Sequence, residues 1–400
     1  MARIIFVNVP AHGHTNPTLP LVRELVQRGE SVIYYSFDVF QHAIEQTGAT
    51  FRSYQHLLSL DYTRPDPNLF RLATTLLDAT ATLLPSLLDS VTADAPDLII
   101  YDSLCPWGKY VAQLLACPAI CSTTTFALTP RLALGSLTQI VELIRMYFTA
   151  HPQRRQFHAI ARTLGHTYGL PQPQPLDMFR NEAELNLVYT SAEFQPAGAS
   201  FSSRFKFVGP SLAPPEVDTP LPFPLPTNTP VLYISLGTLF NEDISFYRTC
   251  FDTFASMSIY VIMSVGAKVS VEQLGHIPAN FTVRQSVPQL AVLRHAQVFI
   301  THGGMNSVHE ALFLGVPMVV IPQAADQHFV AQRIHAVRAG IRLNRKQLSQ
   351  RTLRQAVERV LSNPAYRAAS HAVGASLRRA GGYARAAHEI NEFKQAKQIA

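Results

Sequence analysis

The chain has 400 residues, of which 47% are hydrophobic and 15% are charged, with a formal net charge of +6 at pH 7. A chain of this length suits two domains of ordinary size. The apolar runs are broken by Gly or Pro well short of a membrane span, and no recognised nucleic-acid-binding motif accompanies the positive charge, so we expect neither a transmembrane helix nor a nucleic-acid partner.

The cysteine pattern and the start of the chain bear on its compartment. The four cysteines show no Cys-x-x-Cys spacing. Met1 leads directly into the first predicted strand, so that no signal peptide is expected. We therefore expect reduced thiols and a cytoplasmic protein.

The first predicted strand covers residues 3–9 and ends shortly before His14. Asn16 is a good N-cap and Pro17 a good first helical residue, which predicts a helix over residues 17–28. His14 would then project from the loop at the carboxyl end of the first strand. In an open parallel sheet, ligands bind at that edge.

Residues 97–102 form a later predicted strand of the same domain, with Asp102 at its carboxyl end. A parallel sheet puts Asp102 on the same edge as His14, which permits an Asp–His pair. In such a pair the carboxylate fixes the imidazole tautomer, and the outer nitrogen accepts a proton from a hydroxyl. His12 is a second candidate for the base. The His-x-His spacing also permits a metal site, but no obvious third ligand stands beside it.

A dense run of prolines separates the two halves of the chain. It predicts an extended, semi-rigid linker over residues 213–230, between a first domain at residues 1–212 and a second at residues 231–380. A segment that binds SH3-like partners is the alternative interpretation. The prolines are Pro210, Pro214, Pro215, Pro220, Pro222, Pro224, Pro226 and Pro230.

Residues 298–314 predict a strand, a turn with two glycines and a helix. Asn306 or Ser307 can cap this helix, and Gly315 predicts its end. The turn then aims bare backbone N–H groups and the positive end of a helix at one point. An anion such as a diphosphate fits there, with His302 as a further hydrogen-bond donor.

Glu310 lies one turn into that helix, on the same face as Ser307. A carboxylate at this place can accept two hydrogen bonds from a ribose diol. Diphosphate and ribose together indicate a nucleotide. A glycine turn of this kind also occurs as plain architecture in α/β proteins, which is the alternative interpretation of the turn taken alone.

The residues on either side of this segment narrow the nucleotide to one that carries a sugar. Residues 316–322 predict the next buried strand, and Asp326 and Gln327 follow it at the same edge of the sheet. A carboxylate beside an amide suits vicinal sugar hydroxyls. Upstream, Val287 and Gln289 lie in a predicted loop, where backbone groups can contact a base.

In this order the residues resemble the donor-sugar box of the family 1 glycosyltransferases, the UDP-dependent enzymes of plants and bacteria. The resemblance extends over essentially the whole chain, and the sequence is most similar to the bacterial macrolide-type branch of the family. Ser286 and Met305 stand where plant members have tryptophans. The resemblance implies the GT-B fold, an α/β architecture in which two Rossmann-like parallel-sheet domains face a central cleft. It also implies an N-terminal acceptor domain, a C-terminal donor domain and a final helix at residues 381–400 that returns towards the N-terminal domain.

The resemblance implies a role for each matching residue. His14 is the catalytic base and Asp102 its orienting partner. Phe126, Met146 and Tyr147 line the acceptor pocket. The donor-binding residues are His302, Asn306, Ser307 and Thr238 for the diphosphate, with Gly304 in the turn, Glu310 for the ribose, Val287 and Gln289 near the base, and Asp326 and Gln327 for the hexose.

The implied reaction is an inverting transfer of a hexose, expected to be glucose, from a UDP-sugar to a hydroxyl of a small hydrophobic acceptor such as a macrolide, flavonoid or terpenoid. The UDP-sugar is a co-substrate, and no cofactor is expected. The sequence has no Asp-x-Asp, the usual pattern for holding a metal against a nucleotide-sugar diphosphate, so we expect no metal. We also expect a monomer.

Two other functions stay open from the sequence. Residues 333–400 carry 14 Lys and Arg against 3 Asp and Glu, a net charge of +11 that leaves −5 for the rest of the chain. One interpretation of this basic region is a solvated helical face. The other is that its charge attracts an anionic donor or a membrane surface, as in a lipid or carotenoid glycosyltransferase of the same fold. A non-catalytic partner protein is the other function. A dinucleotide oxidoreductase is disfavoured, since no Gly-x-Gly-x-x-Gly follows the first strand.

Overall fold

A computed structural model of the protein describes residues 1–54, 68–128, 137–212, 220–237, 241–323 and 326–400. The chain divides into two compact units, one formed by Met1–Ser211 with Ala380–Ala400 and the other by Leu212–Arg379. Within the described ranges, no helix is long and apolar enough to cross a membrane.

The first unit is built on a parallel sheet. Its described strands are β1 (Arg3–Val7), β2 (Ser31–Ser36), β3 (Thr50–Ser53), β4 (Leu98–Asp102), β5 (Ala119–Thr123), β6 (Leu185–Val188) and β7 (Phe205–Phe207). They lie in the order β3-β2-β1-β4-β5-β6-β7, and every neighbouring pair is parallel. Since β1 and β4 are neighbours near the centre, their carboxyl ends leave the sheet side by side.

Helices accompany the strands of this unit and bury both faces of the sheet. Along β1, Ile5 and Val7 pack into one core with Trp107, whereas Ile4 and Phe6 belong to a second core. A strand buried on both faces is typical of a parallel sheet covered by helices. The helices are α1 (His12–Thr15), α2 (Leu19–Gln27), α3 (Gln41–Glu45), α4 (Leu69–Asp94), α5 (Pro106–Leu114), α6 (Leu137–Thr149) and α7 (His151–Tyr168).

The helical segment after β1 begins at His12, earlier than the predicted start at residue 17. Helix α1 is followed directly by a 3-10 turn at Asn16–Thr18 and then by α2. Asn16 has helical backbone angles, φ −55° and ψ −42°, so that its prediction as an N-cap is wrong. The N–H groups of His14 and Thr15 both donate to the carbonyl of Ala11, which closes a helical turn before Asn16. His14 therefore lies in a helical turn and not in a loop.

The second unit repeats the same architecture. Its described strands are β8 (Val231–Ser235), β9 (Tyr260–Ser264), β10 (Phe281–Arg284), β11 (Ala296–Thr301), β12 (Met318–Val320) and β13 (Gly340–Arg342), in the parallel order β10-β9-β8-β11-β12-β13. This is the strand order of a Rossmann fold. The helices are α8 (Ile244–Phe254), α9 (Gln289–Leu293), α10 (Met305–Phe313), α11 (Gln327–Ala336), α12 (Gln350–Ser362) and α13 (Pro364–Ala380). The predicted pair of Rossmann-like parallel-sheet domains is confirmed.

The C-terminal helix, α14 (Gly382–Ala396), packs within the first unit. Ile390 is fully buried and shares a core with Leu21 of α2. Two buried charges on the same helix are paired, because Lys394 bonds Glu30 and Lys206 lies 3.3 Å from the carboxylate of Glu389. The helix is therefore held by apolar burial together with ion pairs.

Replacing Ile390 by Ala is expected to lower the free energy of unfolding of the first unit by about 2–5 kcal/mol, because a fully buried side chain leaves a cavity. Trp107 is the only tryptophan of the chain and is buried in this unit, so its fluorescence during urea denaturation reports the unfolding. Gln395→Ala, on the exposed face of α14, is the control and should change stability by less than about 0.5 kcal/mol. An Ile390→Ala protein as stable as the control would contradict the packing of α14.

Candidate functional site

His14 and Asp102 are in contact at the carboxyl edge of the first sheet. The Nδ1 atom of His14 lies 2.8 Å from Oδ2 of Asp102. The Asp102 side chain is fully buried, whereas 14% of the His14 side chain is exposed. The carboxylate therefore sits beneath the ring, and the ring reaches the surface. The catalytic role of this pair stays a prediction.

Thr124 is a further partner of His14, and sequence reasoning did not single it out. Its Oγ1 lies 3.0 Å from His14 Nδ1, while Oδ1 of Asp102 accepts a hydrogen bond of 2.7 Å from the N–H of Leu104. These partners favour the tautomer in which Nδ1 carries the hydrogen and Nε2 is the basic nitrogen. Its position in the sequence could have indicated this contact, because Thr124 directly follows β5, the strand beside β4.

The turn that carries His14 is held from below by a buried polar side chain. The Nδ2 atom of Asn8 donates to the carbonyl of His14 at 3.1 Å and to the hydroxyl of Tyr34 at 2.6 Å.

His12, the second candidate for the base, is exposed, and its ring packs edge-on against Phe40, with 4.9 Å between the ring centroids. In the part of the chain that the structure describes, no group of three or more His, Cys, Asp or Glu side chains is placed to hold a metal ion.

The three predicted acceptor residues lie in different surroundings. Phe126 is buried and packs against Phe194, with 5.5 Å between the ring centroids. Tyr147, on α6, is 40% exposed, and the guanidinium carbon of Arg154 lies 3.2 Å from the centre of its ring. Met146 precedes it on α6 and is half-buried. The role of these side chains in acceptor binding stays a prediction.

In the second unit, His302 directly follows β11 and lies between two glycines. A Cβ atom on Gly237 would stand 2.5 Å from Cε1 of His302, and one on Gly304 would stand 2.9 Å from the same atom. Gly237 and Gly303 also have φ angles of +78° and +88°, which favour glycine. Gly237 and Gly304 thus make room for the imidazole, and Gly303 allows the bend of the predicted turn.

The electrostatic state of His302 follows from its burial. Burial lowers the pKa of His302 to about 4, because the imidazolium would lose its hydration. The ring is therefore neutral at pH 7. Its Nδ1 atom is buried and has no hydrogen-bond partner in the described ranges. A buried nitrogen without a partner is costly, because it loses its hydrogen bond to water.

Helix α10 begins at the glycine turn, but its cap differs from the prediction. Gly304 is the N-cap, with extended angles of φ −61° and ψ 135°, and it has no side chain to cap the helix. Asn306 and Ser307 lie inside the first turn, so the prediction that one of them is the cap is wrong. First-turn N–H groups lack partners within a helix and attract anions. The predicted helix end is confirmed, since Gly315 has φ +72° and donates to the carbonyl of Leu312.

Gln289, Ser307 and Glu310 are brought together beside this helix. Gln289 begins α9, where the sequence predicted a loop. Its Nε2 atom donates to Ser307 Oγ at 3.1 Å and to Glu310 Oε2 at 2.6 Å. The hydroxyl of Tyr233 donates to Gln289 Oε1 at 3.0 Å. Burial raises the pKa of Glu310, and the hydrogen bond from Gln289 opposes this shift.

The remaining donor residues lie around the same edge. A Cβ atom on Gly303 would be 3.5 Å from the carbonyl oxygen of Gln327, which puts the start of α11 beside the glycine turn. The side-chain oxygen of Gln327 accepts from the N–H of Gln323 at 2.9 Å, and Asp326 precedes it as the N-cap of α11. Val287 is half-buried between β10 and α9. Thr238 lies outside the described residues.

The lowered pKa of His302 can be tested by titration. We expect its ring to bind a proton only near pH 4 instead of near 6.5. Between these values the unfolded chain binds the proton and the folded chain does not, so the contribution of His302 to stability falls as the pH falls. NMR of the histidine rings measures the midpoint, with a His302→Gln protein to identify the signal. A midpoint near 6.5 would contradict the burial.

The sequence is similar to one protein family model and to several glycosyltransferases. Residues 248–379 match the family described as Erythromycin biosynthesis protein CIII-like, C-terminal domain. An uncharacterized UDP-glucosyltransferase of Bacillus subtilis is 33% identical over 411 aligned residues, which cover 100% of both chains. An NDP-glycosyltransferase of Bacillus licheniformis is 35% identical, with 98% of this chain and 97% of the relative covered.

A solved structure extends the likeness to three dimensions. The crystal structure of the glycotransferase of kitacinnamycin has a TM-score of 0.84 and 31% sequence identity, with 98% of each chain covered. Similarity in sequence and in fold therefore spans the whole chain. The chain belongs to the family 1 glycosyltransferases.

Proposed function

We propose that the protein is an inverting UDP-dependent hexosyltransferase that transfers glucose to a hydroxyl of a small hydrophobic acceptor. The name of the Bacillus subtilis relative, a UDP-glucosyltransferase that matches over its full length, supports the donor. The likeness to the glycotransferase of kitacinnamycin supports an acceptor of the natural-product type. Macrolides, flavonoids and terpenoids are the acceptor classes to test first.

The observation that carries the proposal is the contact between His14 and the buried carboxylate of Asp102. In the proposed reaction, Nε2 of His14 takes the proton from the acceptor hydroxyl, and Asp102 stabilises the imidazolium that forms. The acceptor oxygen forms a bond to the anomeric carbon as the bond from that carbon to the diphosphate oxygen breaks. The bonding electron pair leaves with UDP, and the anomeric configuration is inverted.

The proposed leaving-group site is the glycine turn at the start of α10. Negative charge grows on the diphosphate as the sugar departs, and the positive end of a helix stabilises such charge. His302, neutral at pH 7, adds a hydrogen-bond donor and no net charge. Asn306 and Ser307 lie in the same first turn, and Thr238 is assigned to the diphosphate by the family resemblance alone.

The rest of the donor is assigned to the groups around the turn. Glu310 accepts hydrogen bonds from the ribose hydroxyls, and its contact with Gln289 supports this assignment. Asp326 and Gln327, at the start of α11, bind the hexose hydroxyls. Val287 contacts the base through its backbone. No cofactor and no metal take part in this scheme.

The decisive experiment is an assay with UDP-glucose and a panel of macrolides, flavonoids and terpenoids, read by mass spectrometry. A hexose addition is expected, and it should persist when EDTA replaces divalent metal. Transfer that is found only with lipid or carotenoid acceptors would favour the membrane-associated alternative. The absence of transfer to every acceptor, with UDP still bound, would favour a non-catalytic partner protein.

Replacing His14 by Ala should reduce the rate of transfer to an alcohol by about 100- to 10,000-fold, which is the usual contribution of a general base. UDP affinity should not change, because the donor groups lie on other elements. Turnover numbers and calorimetric UDP binding measure the two effects. His12→Ala is the matched control, because His12 is exposed and packs on Phe40. A His14→Ala enzyme with full turnover would remove His14 from the mechanism.

A further inference from the structure

Tyr233 is a buried tyrosine of β8 whose hydroxyl reaches the donor groups. Only 1% of the residue is exposed, and its ring stacks on Phe299 of the adjacent strand β11, with 4.8 Å between centroids and 11° between planes. Its hydroxyl donates to Oε1 of Gln289 at 3.0 Å. Burial raises the pKa of Tyr233, so the hydroxyl keeps its proton and remains a donor. The stacked ring fixes the position of that donor.

The hydrogen bonds of Gln289 select one orientation of its amide. A carboxylate accepts hydrogen bonds and cannot donate them, so the NH2 end of the amide must face Glu310. A turned amide would hold two acceptor oxygens at the 2.6 Å distance that separates Gln289 Nε2 from Glu310 Oε2. In that orientation the amide oxygen lies at the other end of the group, where it accepts the hydrogen bond from the Tyr233 hydroxyl.

We propose that Tyr233 is a positioning residue for the donor nucleotide: it orients the Gln289 amide, which in turn holds the Glu310 carboxylate in the place where it recognises the ribose hydroxyls. The inference rests on the proposed function, because it takes Glu310 as the ribose group. Gln289 holds Oε2 of Glu310, so the position of the whole carboxylate depends on the orientation of that amide. Selectivity for ribose over 2′-deoxyribose therefore depends on a tyrosine that does not touch the nucleotide.

The test compares calorimetric binding of UDP and of 2′-deoxy-UDP. The wild-type protein should bind UDP more tightly than 2′-deoxy-UDP. Tyr233→Phe keeps the ring and its stacking but loses the donor, and it should weaken UDP binding by about 3- to 10-fold, the usual effect of one hydrogen bond. Its affinity for 2′-deoxy-UDP should fall by a smaller factor, because this ligand offers Glu310 the 3′-hydroxyl alone. The selectivity for ribose then falls towards one.

Two further proteins separate positioning from loss of packing. Tyr260→Phe removes a tyrosine hydroxyl from the neighbouring strand β9, where it bonds Thr282, and should leave both affinities unchanged. Gln289→Leu removes the amide on which Tyr233 acts and should itself reduce the ribose selectivity. If Tyr233 acts through Gln289, adding Tyr233→Phe to the Gln289→Leu protein should have no additional effect.

Each outcome points to one conclusion. A wild-type protein that does not bind UDP would overturn the proposed function. A wild-type protein that binds UDP without preferring ribose would overturn the inference and leave the transfer reaction standing. The inference is also overturned if Tyr233→Phe keeps the selectivity, weakens both ligands equally, or still weakens UDP binding in the Gln289→Leu background.

Discussion

Both candidate sites depend on the parallel pairing of two central strands that are distant in the sequence. The pairing of β1 with β4 brings together His14 and Asp102, which are 88 positions apart. The pairing of β8 with β11 sets Ser235 opposite Thr301, so Gly237 and His302 leave the sheet side by side. The carboxyl ends of parallel strands share one edge, and a slip of one residue would turn Asp102 to the other face of the sheet.

Buried polar groups lie at both of these edges. In the first unit, the buried carboxylate of Asp102 bonds the imidazole of His14 and accepts from the N–H of Leu104. Thr124 bonds the same imidazole. In the second unit, burial keeps His302 neutral, and the positive end of α10 supplies the attraction for an anion. The first edge is thus built from a buried carboxylate and the donors around it, and the second from a neutral imidazole beside the start of a helix.

The wrong sequence predictions concern local chain ends. Asn16, Asn306 and Ser307 have the composition of N-caps, but a helix begins where the preceding backbone allows it to begin. The carbonyl of Ala11 accepts from two N–H groups and starts a helical turn before Asn16. The extended backbone of Gly304 makes it the N-cap of α10. Side-chain propensity favours a cap within a few residues, and the exact position is decided by how the strand before it leaves the sheet.

The sequence by itself determined the family, the α/β class and the residues that end the central strands, because hydrophobic runs, glycines and motif spacing are local properties. Only the tertiary structure decided that Thr124 joins the His14–Asp102 pair, that Gly237 and Gly304 enclose the ring of His302, and that Tyr233 reaches Gln289. Each of these contacts joins different strands or helices. Their geometry depends on strand order and register, which no local pattern in the chain specifies.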